Sequence, residues 1–435
     1  MSGPSPSRRV ALTARLETER GRRLDRALDS AAAGLDPRER AFAHELCYGT
    51  TRLRGRLDHL IGLELHCGVA ELDAEVREGI RLGAYQILYM HSVPVYAAVS
   101  QSVDLVRESI GPGPTGLVNA VLRKVDRGGD GAERFPDRAR DPLGFLETWG
   151  SHPRWLLERW LARWSLDEVR ALVEHDNRPP RLHLVPFDVS LDEALGILDR
   201  AGLAAEPVGE GTHCLRLSDG ASPTAALDAL PRAIIQDPAA NLVVLYADVP
   251  EGTKVADLCA APGGKALAVA DRPLYTLAAD RSESRLHMLR DNARRTGRPL
   301  GLAVADARHP PLREADVVLV DAPCTGTGTL QRKPDARWRL RPASLSDLVE
   351  LQCEMLDAAA TLIPVGGLLV YSTCSLEREE NEEQVDAFLG RHPGFRVQAS
   401  EAVSSRYRDG LGRLAVMPQS SGFDGAFAAR LRRVS

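Results

Sequence analysis

The chain has 435 residues, 44% of them hydrophobic and 26% charged, with 55 basic against 60 acidic side chains and a net charge of −5. Its length exceeds the ~100–200 residues of one domain and its composition is that of a globular protein, so a single core and a long disordered chain are both excluded. The near-neutral balance does not mark the whole chain as a nucleic-acid binder, which leaves that question to local clusters of basic residues.

From residue 8 to about 127, apolar side chains recur at three-to-four spacing, as in Ile80, Leu82, Ala84, Tyr85, Leu88 and Met90, which predicts a helical bundle. The Gly111-Pro112-Gly113-Pro114 run breaks two helices, and Gly128-Gly129-Asp130-Gly131, followed by Pro136 and Pro142, reads as a linker. The first domain is therefore placed at 1–130 and the linker at 131–147. A helix is expected after Ser151 as cap and Pro153 in its first turn, with Trp155, Trp160 and Trp164 as a core stripe. Short β-like runs at 181–185 and 212–217 flank a helical stretch at 191–201, predicting a small α+β module within 148–245.

From 246 to 435 apolar strands alternate with amphipathic helices, the strands falling at 255–259, 274–279, 302–305, 317–320 and 368–371. That alternation predicts a Rossmann-like, doubly wound and mainly parallel α/β sheet, whose ligands bind beyond the carboxyl ends of its strands. The residues after each strand are accordingly the ones to read. The first strand runs into Asp257-Leu258-Cys259-Ala260-Ala261-Pro262-Gly263-Gly264-Lys265, a glycine turn that matches neither a dinucleotide fingerprint nor a P-loop. Asp280 ends the second strand, where a carboxylate accepts from ribose hydroxyls, and Asp306 follows the third, where one accepts from an adenine amino group. A glycine turn and two acids with no phosphate cradle suit S-adenosyl-L-methionine.

The seven cysteines show no Cys-x-x-Cys and no zinc spacing, so neither a disulfide framework nor a metal is expected. Two of them, Cys324 in Asp321-Ala322-Pro323-Cys324 and Cys374 in Ser372-Thr373-Cys374-Ser375, end neighbouring strands and would converge on one cleft. A thiolate beside a sulfonium methyl donor fits methylation of a pyrimidine at C5: addition at C6 makes C5 nucleophilic enough to take the methyl group. Asp321 is the candidate acid or base-edge partner. Position alone does not rank the two cysteines.

These motifs closely resemble those of the RNA 5-methylcytosine methyltransferases. The first third resembles the antitermination factor NusB, in Arg40-Ala41-Phe42, Tyr48-Gly49-Thr50, Ala97-Ala98-Val99 and Val118-Asn119-Ala120-Val121-Leu122-Arg123. In this order the parts resemble the bacterial small-subunit ribosomal RNA methyltransferase B family. The resemblance implies a NusB-like RNA-binding bundle, an RNA-binding middle module, Cys374 as nucleophile, and Cys324 assisting later steps or product release. It also implies cofactor contacts from residues 259–265, Asp280, Asp306 and Asp321, and 16S rRNA or a small-subunit precursor as partner. Thr325, Thr327, Pro238 and Ala266 depart from the residues more usual in that family.

The basic run 331–341, with Arg332, Lys333, Arg337 and Trp338, is a candidate RNA contact, as are Arg52, Arg54 and Arg56. A monomer is expected. The sequence contains no apolar run of the ~18 residues a membrane span requires and begins without the apolar stretch of a signal peptide, which predicts a cytoplasmic protein without a membrane partner. Two other readings remain open at this point: the same chemistry on tRNA or another RNA, and a NusB-like RNA-binding factor with an inactive methyltransferase domain.

Overall fold

A computed structural model describes residues 3–435. They divide into two compact units, one running up to Pro179 and including Leu330–Leu340, the other made of Pro180–Thr329 and Arg341–Ser435.

The first unit is helical. Helices Pro6–Glu19, Pro37–Arg52, Arg54–Gly62, Ala74–Tyr89, Val95–Ile110 and Thr115–Gly128 enclose a core that includes Leu46, Ile61, Ile80, Leu82 and Leu122. Gly111 and Gly129 end the last two helices with φ of 94° and 64°, left-handed values that favour glycine. One buried ionic cluster crosses this apolar interior: Glu78, fully buried, accepts from Arg15 at 2.6 Å and also pairs with Arg81.

The expected linker at 131–147 is ordered. It carries a turn at Ala132–Arg134, the buried Phe135, and helix Pro142–Thr148, capped by Asp141 through the Gly144 amide at 2.9 Å. Helices Arg154–Leu161 and Leu166–Asp176 group with this unit, and the first strand that follows them is His183–Pro186. Trp160 is fully buried, as a core residue should be. Ser151 does not cap the helix after it. Its hydroxyl donates to the Arg52 carbonyl at 2.8 Å and accepts from the Gly55 amide at 2.9 Å.

Within the basic run expected to contact RNA, Arg337 is fully buried, and its guanidinium donates to the carbonyls of Ser151 (3.1 Å), Asp176 (3.2 Å) and Leu330 (3.3 Å) and to the Asn177 side chain (2.8 Å). Burial lowers its pKa to about 10, so it stays charged at neutral pH. The neighbouring Trp338 donates to the Thr51 carbonyl at 2.9 Å, and Arg54 stacks over its ring. Arg52 and Arg56 are likewise spent on carbonyls, of Gln331 and Trp149. Of the run, Lys333 is exposed and Arg332 half-buried.

In the second unit, strands β1 (His183–Pro186), β2 (Ala205–Val208), β3 (Cys214–Leu217) and β4 (Ala233–Ile235) form an antiparallel sheet in the order β2-β3-β1-β4. Helix Leu191–Arg200 closes it, with Ser190 and Glu193 forming a reciprocal cap. Helix Pro238–Ala247, capped by Asp237, leads to the large sheet. That sheet contains β5 (Lys254–Asp257), β6 (Tyr275–Asp280), β7 (Gly301–Val304), β8 (Val317–Asp321), β9 (Leu368–Thr373), β10 (Phe395–Val397), β11 (Leu414–Val416) and β12 (Ala426–Arg433). Its order is β10-β12-β9-β8-β5-β6-β7, with β11 beside β12.

Strands β5 to β9 are parallel and fall on the five expected runs, whereas β12 runs antiparallel between β9 and β10. The chain turns to opposite sides after β5, toward β6 and, later, β8. A crevice opens at such a reversal, beyond the carboxyl ends of the strands. Among the described residues, no helix is long and apolar enough to cross a membrane.

Candidate active site

The loop leaving β5 bends back under the sheet's carboxyl edge. Asp257, at the end of the strand, accepts from the Cys259 amide at 3.2 Å with one oxygen, while its other carboxylate oxygen is buried without a partner. Burial, reinforced by nearby Asp321, raises this carboxyl to about 7. Gly263 has φ of 112°, and a Cβ there would lie 2.1 Å from Leu289, so only glycine lets the loop turn into helix Gly264–Val269. Burial pushes the Cys259 thiol up, which marks it as a packing residue.

Asp280, the last residue of β6, holds this loop in place. It accepts from the Ala261 amide at 3.2 Å and the Ser282 amide at 2.9 Å, and Arg285 lies 3.5 Å from the same carboxylate while bonding the Ala261 carbonyl. Asp306, two residues past β7, stays partly exposed. The Arg308 side chain clasps it at 2.8 Å and holds its carboxyl down at about 2.

Asp321 ends β8. Lys265 Nζ donates to its Oδ2 at 2.7 Å and Ser372 Oγ to its Oδ1 at 2.9 Å. Burial alone would lower Lys265, but the charge and hydrogen bond of Asp321, with a contribution from Cys374, raise it on balance, so it remains an ammonium. Parallel pairing sets Asp321 opposite Ser372 across β8 and β9, which is why the motifs two and three residues beyond converge.

There, Cys324 Sγ and Cys374 Sγ stand 3.4 Å apart. The hydrogen bond between them, together with burial, pushes the Cys324 thiol well above its ordinary value. Cys324 thus keeps its proton at neutral pH.

The two cysteine loops are also welded through backbone. The Gly328 amide donates to the Cys374 carbonyl at 3.0 Å, and the Gly425 amide to the Gly328 carbonyl at 2.7 Å. A Cβ on Gly328 would sit 2.7 Å from Gly425 Cα and 2.8 Å from the Cys374 carbonyl. Thr325 and Thr327, unusual for the resembled family, both use their hydroxyls here: Thr325 meets Ser375 at 3.0 Å, and Thr327 accepts from the Leu376 amide at 2.9 Å. Sequence reasoning did not single out Ser372, Gly328, Gly425, Gln352 or Glu380. The run Glu377-Arg378-Glu379-Glu380-Asn381 reads locally as a solvated charged segment, and only tertiary contact distinguishes the fully buried Glu380.

Comparison with known proteins follows the same division. A family model described as 16S rRNA methyltransferase RsmB/F matches residues 244–432, the NusB family matches 6–127, and a ferredoxin-like domain of RsmF/B-like methyltransferases matches 152–223. The chain is 33% identical to the probable ribosomal RNA small subunit methyltransferase B of Synechocystis sp., over 94% of each chain. It is 32% identical to the ribosomal RNA small subunit methyltransferase B of Klebsiella pneumoniae, over 95% of this chain and 94% of that one. The crystal structure of PH0851 superposes over the whole of both chains with a TM-score of 0.81 and 25% identity.

Proposed function

Because the chain belongs to the ribosomal RNA small subunit methyltransferase B family, we propose that it methylates C5 of one cytosine in 16S rRNA through a covalent cysteine–C6 adduct. The observation that carries this reading is the Cys324–Cys374 pair at 3.4 Å, beside the Lys265–Asp321 ion pair.

The residues fit S-adenosyl-L-methionine. The glycine-only turn at Gly263 leaves room for close approach, Asp257 keeps a buried acceptor without a protein partner, and the carboxylates of Asp280 and Asp306 stand at the ends of neighbouring strands. Cys259, Ala260, Ala261, Pro262, Gly263, Gly264 and Lys265 would line it, with Asp280 toward the ribose, Asp306 toward the adenine and Asp321 facing both donor and base. The cofactor supplies the methyl group.

The protein supplies the rest. Cys374 adds as thiolate to C6, and the positive charge of Lys265 favours that thiolate. Electron density moves toward the ring's amide edge, which takes up a proton from water, and C5 becomes nucleophilic; Asp321, a carboxylate held by Lys265 and Ser372, would accept from the cytosine amino group at that edge. After methylation C5 gives its proton to water, the freed electron pair re-forms the C5–C6 double bond, the C6–S bond breaks, and Cys374 is regenerated as a thiolate. The protonated Cys324 stands next to the departing sulfur and assists that release. Lys333 is the exposed candidate for a phosphate contact, with Arg332 beside it.

RNA carrying 5-fluorocytidine tests the adduct directly, because fluorine at C5 leaves no proton to remove. With methyl donor present, the protein should form an RNA complex that survives denaturation, and Cys374→Ala should form none. Equal trapping by both proteins would contradict the proposed nucleophile.

A further inference from the structure

Glu380 is fully buried and lies outside every motif used above, yet it joins the loop of Cys324 to the strand of Cys374. Its Oε1 accepts from the Thr325 amide at 2.8 Å and from Gln352 Nε2 at 3.0 Å, and its Oε2 accepts from the Thr325 hydroxyl. That hydroxyl meets Ser375, the residue after Cys374, at 3.0 Å. Gln352 also donates to the Pro323 carbonyl at 3.0 Å, the residue before Cys324. On the other side, the Glu380 carbonyl accepts from the Tyr371 hydroxyl of β9 at 2.6 Å, and the same hydroxyl lies 3.2 Å from Gln352 Oε1. One carboxyl group thus gathers donors from the residue after Cys324 and from a side chain bound to the residue before it.

Burying a carboxyl is costly unless its bonds are made, and burial does push Glu380 up from its usual range. The three hydrogen bonds its carboxyl accepts offset that cost and make the network rigid, since each member is held by others. We infer that Glu380 is the positioning residue that fixes Cys324 against Cys374. It acts through Thr325 and does not itself touch the reacting atoms. A small displacement of a reacting group costs up to about a hundredfold in rate, so the network matters to the step in which Cys324 takes part. The inference deepens the reading of Cys324 as the residue assisting adduct release, and rests on it for its kinetic consequence.

Two readouts separate the inference from that reading. In the free protein, diamide joins two adjacent thiols: the pair loses two protons and two electrons, and the diazene becomes the hydrazine. Glu380→Ala should slow formation of the Cys324–Cys374 disulfide about tenfold, while Glu380→Gln, whose amide can still accept from the Thr325 amide and donate to its hydroxyl, should remain within about threefold of wild type. On RNA with S-adenosylmethionine, Glu380→Ala should accumulate the denaturant-resistant adduct, as is expected of Cys324→Ala, with first-turnover adduct formation within about threefold of wild type.

Thr325→Val, which removes only the hydroxyl, should show the same two changes to a smaller degree and decides the matter if Glu380→Ala does not fold. Wild-type disulfide rates in folded Glu380→Ala, or in Thr325→Val where Glu380→Ala does not fold, would overturn the positioning role. Slowed disulfide formation without adduct accumulation would keep the positioning role and instead overturn the part given to Cys324 in release.

Discussion

At the residue scale, the division of labour proposed for the two cysteines draws its support from their surroundings. The bond to Cys374 and burial push the Cys324 thiol up, whereas Cys374 interacts with the charge of Lys265. Cys374→Ala should abolish methyl transfer and leave binding of S-adenosylmethionine intact, as read by calorimetric titration; residual activity above about a thousandth of wild type would contradict its role. Cys324→Ala should retain adduct formation and slow release, seen as RNA shifted on a denaturing gel. Asp257 gives a pH prediction whose sign follows from its environment. Its carboxyl titrates at about 7 in the fold against an ordinary value of 3.8, so between these values the unfolded chain releases a proton that the folded one keeps. Asp257 therefore contributes a loss of stability of about 2–4 kcal/mol as pH rises from about 4 to about 7, which levels off above. In thermal melts taken from pH 4 to 8, the difference between wild type and Asp257→Asn should carry that slope. Profiles of the two proteins that run parallel through the window would contradict the assignment.

At the element scale, the parallel strands β5 to β9 were legible because each is a short apolar run ending in an acid, a cysteine or a glycine turn, and these chemistry-bearing ends are what the fold gathers. The antiparallel edge was not. Strands β10 and β11 are three residues each, and β12, Ala426–Arg433, carries three arginines that hide a strand buried from Ala426 to Leu431. Glu380 was hidden for the same reason: an acid in an acidic run signals solvent until the tertiary contacts are known. The Gly328–Gly425 contact is a further case, a close approach of two backbones that a glycine alone does not announce. Gly328→Ala should force the loops apart, lowering activity by more than about tenfold and destabilising the fold by about 1–3 kcal/mol. Retention of full activity and melting temperature would show that this weld is dispensable.

At the scale of the whole molecule, the chain leaves the methyltransferase unit at Thr329, contributes Leu330–Leu340 to the helical unit, and returns at Arg341. The basic run read from sequence as an RNA contact is partly an internal element, because the Arg337 guanidinium satisfies the carbonyls of Ser151, of Leu330 and of Asp176 at the end of its helix. Arg337→Ala should strand those acceptors and cost about 3 kcal/mol or more, with the loss appearing in the helical unit although the substitution lies within the methyltransferase sequence. Hydrogen exchange of the full chain should show loosening around Ser151 and Asp176; unchanged exchange there would refute it.

The most direct test of the central claim is mass spectrometry of nucleosides from mapped 16S rRNA fragments after incubation with S-adenosylmethionine and either the wild-type chain or Cys374→Ala. The account predicts one new 5-methylcytidine at a single position with the wild type and none with the variant. Methylation on another atom or another base, or 5-methylcytidine formed equally by Cys374→Ala, would contradict it.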